Sequence, residues 1–145
     1  MKKLFYVFLL CLCCSAAGAQ SPTLNHIAVY VQDLQKSTKF YRDVIGLDTV
    51  PEPFHDGRHT WFTIGGPSYL HLISGATAIT THDKNSHICL SVPSVTDFIV
   101  RLNRAGVPFE DWPGKSGAVT TRTDGVHQIY FRDPDGWWIE INDAK

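Results

Sequence analysis

The chain has 145 residues, with 13 Lys and Arg against 14 Asp and Glu, and 43% of its residues are hydrophobic. This length and composition indicate a folded globular protein of one domain and exclude a low-complexity or disordered chain. A formal net charge of -1 excludes a general nucleic-acid binder that works by neutralising phosphates.

Residues 1–19 have the pattern of a secretory signal peptide. A basic start is followed by an apolar run over residues 4–14, which is too short to span a bilayer as a stable helix. Residues 17–19, Ala-Gly-Ala, match a cleavage site of the A-x-A type. We therefore expect residues 20–145 to form a secreted, periplasmic protein with no membrane association after cleavage. A retained membrane anchor is the less favoured alternative.

Cys89 is the single cysteine that remains after this cleavage, which excludes an intrachain disulfide bond. It lies in an apolar run, and free cysteine is among the residue types most often buried. We therefore expect Cys89 to be a small residue of the hydrophobic core.

From residue 24 onward the sequence repeats one plan twice. In the first copy, residues 24–31 alternate as a strand, and residues 33–45 form a helix capped by an aspartate and ended by Gly46. In the second copy, residues 85–92 repeat the strand. A helix over residues 94–105 follows it, and a glycine again comes directly after the helix.

Each copy continues with further strands. They are predicted near residues 47–51, 59–64 and 68–74 in the first copy, and near 107–111, 117–122, 126–132 and 137–142 in the second. The plan is βαβββ twice, which predicts an α+β fold of paired βαβββ modules with mixed sheets and helices on one face. Module one covers about residues 24–74, residues 75–84 are a linker, and module two covers about residues 85–142.

Strand alternation places four potential metal ligands at equivalent positions of the two copies. His26 and His71 lie on the sheet face turned away from the helix in copy one, and His87 and Glu140 lie there in copy two. Each alone is more typical of a hydrogen-bonded strand residue, but their repetition favours a metal site. We expect a pseudo-two-fold axis to bring the four together. Three such ligands suit Zn, Fe, Ni, Mn or Co and leave open positions for a substrate.

The turn at residues 133–136 predicts a neighbour for Glu140. A type I turn with glycine at its left-handed position gives a three-residue hairpin loop, which pairs Asp133 with Trp137. The same register pairs Tyr130 with Glu140. Tyr130 is then able to donate a hydrogen bond to a bound substrate, although simple packing of its ring in the hairpin is equally compatible with this placement.

These residues resemble the vicinal oxygen chelate superfamily, which includes glyoxalase I, fosfomycin-resistance transferases, extradiol dioxygenases and bleomycin-resistance proteins. The resemblance covers nearly all of residues 24–142. It is carried by Asn-His-Ile-Ala-Val at 25–29, Ser-His-Ile at 86–88, Tyr-Phe-Arg-Asp-Pro-Asp-Gly at 130–136 and Ile-Glu-Ile at 139–141. It implies the glyoxalase/bleomycin resistance/dioxygenase fold, in which paired modules curve a mixed sheet around a metal cavity.

The resemblance also implies a site. His26, His87 and Glu140 match the family's ligands for a divalent metal ion, with Zn, Ni, Mn or Fe as candidates. His71 stands where glyoxalase I has a glutamate, which leaves Glu140 as the carboxylate base. The resemblance separately implies that Tyr130 donates a hydrogen bond to the substrate. We expect a lactoylglutathione lyase-like enzyme acting on a small substrate with vicinal oxygens. A homodimer is compatible with this, and the site then lies within one chain or between two.

Two other functions fit the same residues. The set of two histidines and one carboxylate also matches ring-cleaving dioxygenases that use iron. A metal-free protein of the bleomycin-resistance type would instead sequester a drug in an aromatic cleft lined by residues such as Trp61, Trp112 and Trp138.

Overall fold

The computed structural model describes residues 21–145. The signal peptide predicted for residues 1–19 lies outside this part, so it stays a prediction. None of the helices within residues 21–145 has the length and apolar character needed to cross a membrane.

Two four-stranded mixed sheets form the fold, one from each half of the chain. The first half contains β1 (His26–Val31), α1 (Leu34–Lys39), a π-helical segment (Phe40–Ile45), β2 (Thr49–Val50), β3 (His59–Thr63) and β4 (Tyr69–Ser74). The second half contains β5 (His87–Ser91), α2 (Val95–Ala105), β6 (Thr120–Thr121), β7 (His127–Arg132) and β8 (Trp138–Asn142). The strand orders are β1-β4-β3-β2 and β5-β8-β7-β6, which confirms the paired βαβββ modules.

The two sheets have the same register as well as the same order. In each sheet the first strand runs parallel to the last strand of its module, and the other neighbours are antiparallel. The linker over residues 75–84 carries neither helix nor strand.

Local capping explains where the helices begin and end. The side chains of Asp33 and Ser94 accept hydrogen bonds of 3.0 and 3.1 Å from backbone amides of the first helical turns. Gly46 and Gly106 end the helices at φ of +87° and +67°, a conformation that glycine adopts without strain. Asp33, Gly46 and Gly106 were predicted in these roles, whereas Ser94, predicted as the first helical residue, is the cap before Val95.

Four elements differ from the prediction. The first helix turns π-helical over Phe40–Ile45, where the amide of Gly46 bonds the carbonyl five residues earlier. The predicted strand at residues 107–111 is reduced to isolated bridges of Glu110, because Pro108 has no amide to donate to a longer ladder. The outermost strands β2 and β6 are shorter than predicted, with two residues each.

One hydrophobic core is shared by the two modules. The inward faces of the strands pack against the helices, with Val29, Val31, Ile139 and Ile141 at 1% exposure or less. These residues alternate with polar or small ones that face the opposite side. The opposite faces of both sheets therefore remain free of helices.

The turn after β7 joins the modules as well as closing a hairpin. Asp133 pairs with Trp137 as predicted, and its Oδ2 accepts a hydrogen bond of 2.8 Å from the hydroxyl of Tyr41 in the first module. Asp135 accepts from the hydroxyl of Ser37 at 2.5 Å and from the amide of Gln32 at 2.7 Å. These bonds fix the second module against the first helix.

Candidate metal centre

His87 and Glu140 form a close pair on the open face of the second sheet. His87 Nε2 lies 3.1 Å from Glu140 Oε2, and His87 Nδ1 lies 2.7 Å from the main-chain oxygen of Lys84. Because a carbonyl can only accept, Nδ1 carries a proton that it donates to Lys84, and Nε2 is the ring atom that faces the carboxylate. Two ligands about 2.1 Å from one cation and at right angles are about 3 Å apart, so the pair has the spacing of adjacent metal ligands.

The Glu140 carboxylate is held by three donors. The hydroxyl of Tyr130 donates to Oε2 at 2.7 Å, and Oε1 accepts from Asn142 Nδ2 at 2.8 Å and from the Cys89 thiol at 3.4 Å. Burial raises the pKa of Glu140, but these hydrogen bonds and the nearby His87 outweigh burial and hold its pKa below the ordinary value. Glu140 is therefore a carboxylate at neutral pH.

Tyr130 lies opposite Glu140 as the hairpin register predicts. Its side chain is buried, and its hydroxyl accepts a hydrogen bond of 2.5 Å from Gln128 while donating to Glu140. Burial, the hydrogen bond to Glu140 and that residue's charge raise the pKa of Tyr130. With its proton engaged by Glu140, this geometry favours an orienting role for Tyr130 over direct donation to a substrate.

Cys89 is not a core residue, so that expectation is wrong. It is exposed on β5 and lies opposite Glu140 in the sheet register. Desolvation of the thiol and the charge of Glu140 raise its pKa to about 12. Alternation along β5 sets Cys89 on the sheet face turned away from the core, whereas its neighbour Ile88 points into the core. This alternation outweighs the general tendency of cysteine to be buried.

His26 and His71 form the matching pair on the first sheet. Their rings stack with centroids 4.4 Å apart, and Trp61 stacks on the other side of His71 at 3.6 Å. His71 is 7% exposed, and its Nε2 has no hydrogen-bond partner among residues 21–145. Burial and the neighbouring His26 and His59 lower the pKa of His71, so the ring is neutral and carries an unsatisfied polar atom.

Sequence reasoning did not assign three residues of this environment to the metal site. Asn142 and Gln128 lie two residues from Glu140 and Tyr130 on the same strands, so the alternation that found their neighbours also places them on the open face. Trp61 pairs with His71 in register just as Tyr130 pairs with Glu140. The internal repeat therefore contained the signal that identifies Trp61 as the register partner of His71.

The two ligand pairs are equivalent in register but do not meet within one chain. Over residues 21–145, no three His, Cys, Asp or Glu side chains are close enough to hold a metal ion together. The donor types fit a divalent metal, and each pair supplies half of the predicted set. The expected convergence of His26, His71, His87 and Glu140 is not found in a single copy.

The three tryptophans of the drug-sequestering alternative are also separated. Trp61 stacks on His71 in the first sheet. Trp112 and Trp138 lie around the Lys84 ammonium at the second sheet, with ring centres 5.9 and 4.8 Å from Nζ. Within the described part of the chain, no ring contact joins Trp61 to the other two.

Comparison with known proteins agrees with this architecture. Residues 23–141 match the sequence model of the Glyoxalase/Bleomycin resistance protein/Dioxygenase superfamily. The chain is 31% identical over 132 residues to the mitochondrial methylmalonyl-CoA epimerase of Mus musculus, covering 83% of this chain and 72% of that protein. It is 28% identical over 151 residues to lactoylglutathione lyase of Pseudomonas putida, covering 81% of this chain and 82% of that protein.

Among solved structures, Oxidase ChaP-H1 superposes with a TM-score of 0.70 at 25% identity, covering 86% of this chain and 98% of that one. The repeated modules, the shared register and the extent of the sequence match agree with one another. The chain belongs to the Glyoxalase/Bleomycin resistance protein/Dioxygenase superfamily.

Proposed function

We propose that this protein is a metal-dependent, glyoxalase-like enzyme that performs lyase or isomerase chemistry on a small substrate with vicinal oxygens. The observation that carries the proposal is the His87–Glu140 pair, whose 3.1 Å separation suits two adjacent ligands of one cation. The unsatisfied Nε2 of His71 at the equivalent place supports it. The names of two relatives, an epimerase and a lyase, agree with this reaction class.

The full ligand set requires two copies of the chain in this proposal. Each copy offers one histidine pair on the open face of its first sheet and one His–Glu pair on the open face of its second. A symmetric dimer that sets the first face of one copy against the second face of the other forms two identical four-ligand sites. His26 and His71 then come from one chain, and His87 and Glu140 from the other.

The chemistry follows from the ligand set and its neighbours. A divalent cation held by these residues would polarise the substrate oxygens and stabilise the negative charge that develops on them. Glu140 is the one carboxylate of the set and takes a proton from the carbon next to the carbonyl. Tyr130 and Asn142 hold its two oxygens in place, and Gln128 holds the hydroxyl of Tyr130.

Metal content of the purified protein tests the proposal. After incubation with Zn, Ni, Mn or Fe(II), we expect near-stoichiometric metal in the wild type and loss of that metal in His87→Ala and Glu140→Ala. His127→Ala is the matched control, because this histidine pairs with Asp143 away from both ligand pairs. A wild type that stays empty with every metal overturns the proposal and leaves ligand sequestration as the leading function.

A ring-cleaving dioxygenase is the second candidate. It is favoured by the similarity to Oxidase ChaP-H1 and by the combination of two histidines and one carboxylate. Oxygen consumption by the Fe(II)-loaded protein with catechols separates the two functions, because proton transfer between substrate carbons consumes no oxygen. Oxygen uptake that is lost in Glu140→Ala supports the dioxygenase.

We also propose export to the periplasm, on the pattern of residues 1–19. Mass spectrometry of protein recovered from the periplasmic fraction tests it. A mature chain that begins at Gln20 is the expected result, and an intact chain in the membrane fraction contradicts it.

A further inference from the structure

Arg132 is a cation on the open face of the second sheet that the fold itself does not neutralise. It lies two residues after Tyr130 on β7 and opposite Trp138 in register. Its guanidinium carbon stacks 4.5 Å from the centre of the Trp138 ring. Its guanidinium forms neither an ion pair nor a hydrogen bond with any residue in the 21–145 part. Stacking covers one face of the guanidinium and leaves its N–H edge free to bind an anion.

A small cavity lies beside this guanidinium. It has a volume of about 200 Å³, and Arg132, Ser116, Tyr130 and Trp138 contribute to its wall. Since one water occupies about 30 Å³ of liquid, this space accommodates a carboxylate with a short carbon chain. Tyr130 belongs both to this wall and to the hydrogen bonds around Glu140, so the cavity adjoins the candidate metal centre.

The charge balance of the cavity is positive. Glu110 also lines it, but Glu110 forms an ion pair with Lys84. The Lys84 ammonium is further held by the main-chain oxygens of Asp111 and Trp112, both at 3.2 Å. Lys84 and Glu110 therefore cancel each other, and Arg132 remains as the uncompensated charge.

We propose that this cavity binds a carboxylate group of the substrate and that Arg132 is the residue that recognises it. A guanidinium edge matches a carboxylate with two parallel hydrogen bonds. Residues two apart on a strand, such as Tyr130 and Arg132, are about 7 Å apart. The carboxylate of the substrate would therefore lie a few bonds away from the substrate's vicinal oxygens near Glu140. The proposal rests on the proposed function and narrows its substrate class to a short organic acid with vicinal oxygens.

An NMR titration of the metal-free protein in excess chelator tests this subsite without the metal. Succinate is the probe, and uncharged succinamide is its control at matched ionic strength. We expect succinate to shift the Arg132 Nε–H and Trp138 indole N–H signals saturably, and succinamide to leave them unchanged. Arg132→Gln weakens the binding of succinate at least about tenfold.

Arg104→Gln is the matched variant, since Arg104 is an exposed arginine on α2 and its loss changes the net charge equally. It is expected to bind succinate as the wild type does. No saturable shift, or equal binding by Arg132→Gln, overturns the subsite. Because the titration contains no metal, a negative titration overturns the carboxylate subsite without affecting the proposed metal-dependent function. A protein that binds no metal overturns the proposed function without affecting the titration result.

Discussion

Tyr130 and Glu140 face each other across the β7–β8 pair, and the hydroxyl of Tyr130 donates a hydrogen bond of 2.7 Å to Glu140 Oε2. A second hydrogen bond, from Gln128, fixes the same hydroxyl. The tyrosine therefore orients the carboxylate that we propose as both metal ligand and base. Partners that orient a metal ligand in this way commonly contribute to metal affinity, although they do not touch the metal.

Replacing Tyr130 by phenylalanine is predicted to weaken metal binding while leaving the fold intact. Loss of an orienting partner costs about tenfold to a hundredfold in metal affinity. Competition with a chromophoric chelator measures this change. Tyr41→Phe is the control, because it also removes a buried hydroxyl but lies at the module interface. Equal affinity of Tyr130→Phe and the wild type contradicts the orienting role.

Tyr41→Phe is predicted to lower the free energy of unfolding. The hydroxyl of Tyr41 donates to Asp133 at 2.8 Å, and its removal leaves a buried carboxylate oxygen without this partner. Such a loss costs about 1–3 kcal/mol. Urea denaturation at neutral pH measures it, and a difference below the error of the measurement contradicts a role for this bond in joining the modules.

The hydrogen bond between Tyr41 and Asp133 also predicts that the free energy of unfolding depends on pH in alkaline solution. Burial, followed by the charge of Asp133, raises the pKa of Tyr41 well above 10.0, the value expected in the unfolded chain. A raised folded pKa gives stability that is complete below the unfolded value and is lost as pH rises towards the folded one. The stability difference between wild type and Tyr41→Phe should therefore shrink above pH 10.0. A stability difference that stays constant above this pH contradicts the raised pKa of Tyr41 in the folded protein.

Gly136→Ala is predicted to be more destabilising than an ordinary substitution of a left-handed glycine. Gly136 has φ of +89°, and an added Cβ would lie 2.4 Å from the main-chain oxygen of Thr80 in the linker. Gly125 has nearly the same φ, +87°, and open space around it. We expect about 1 kcal/mol for Gly125→Ala and about 2–4 kcal/mol for Gly136→Ala in urea denaturation. Equal losses of unfolding free energy in the two variants would contradict this prediction and show that the linker moves to accommodate the added Cβ.

Cys89 is predicted to react slowly despite its exposure. Its raised pKa, about 12, leaves about a thousandfold less thiolate at pH 8 than an ordinary cysteine has. Iodoacetamide labelling of the Cys89 peptide, followed by mass spectrometry in the presence of chelator, measures the rate. Glu140→Gln removes the neighbouring charge and should speed labelling. A wild-type rate like that of a free peptide thiol contradicts the pairing with Glu140.

The sequence predicted those parts of the site that local rules control. Alternation with a period of two residues placed the four proposed ligands on the open faces, and the turn at residues 133–136 set the register of Tyr130. Both patterns are short-range, and the alternation appears in both modules. The helix ends were equally local, because Asp33 and Ser94 cap the first turns with their own side chains.

The separation of the two ligand pairs was not predictable in this way. It depends on how one module sits against the other, which long-range contacts decide. Asp133 and Asp135 bond residues of the first module that are about a hundred positions earlier. Periodic sequence patterns do not reveal such contacts. A pseudo-two-fold repeat is compatible with ligand pairs that meet within one chain and with ligand pairs that remain apart.

Complementation between two mutant chains tests whether the metal site forms between two copies of the chain. One chain carries His26→Gln with His71→Gln, and the other carries His87→Gln with Glu140→Gln. Neither chain alone is expected to retain metal. A heterodimer of the two contains one site with all four ligands intact and one site with none.

Random reassociation of equal amounts makes half of the dimers mixed, so metal content should recover to about a quarter of the wild-type level. Native mass spectrometry of the mixture counts the mixed dimers and their metal together. Recovery of metal confined to the mixed dimers is expected when the site forms between two copies. Mixed dimers without metal, or single variants that retain metal, would show that the site does not form between copies.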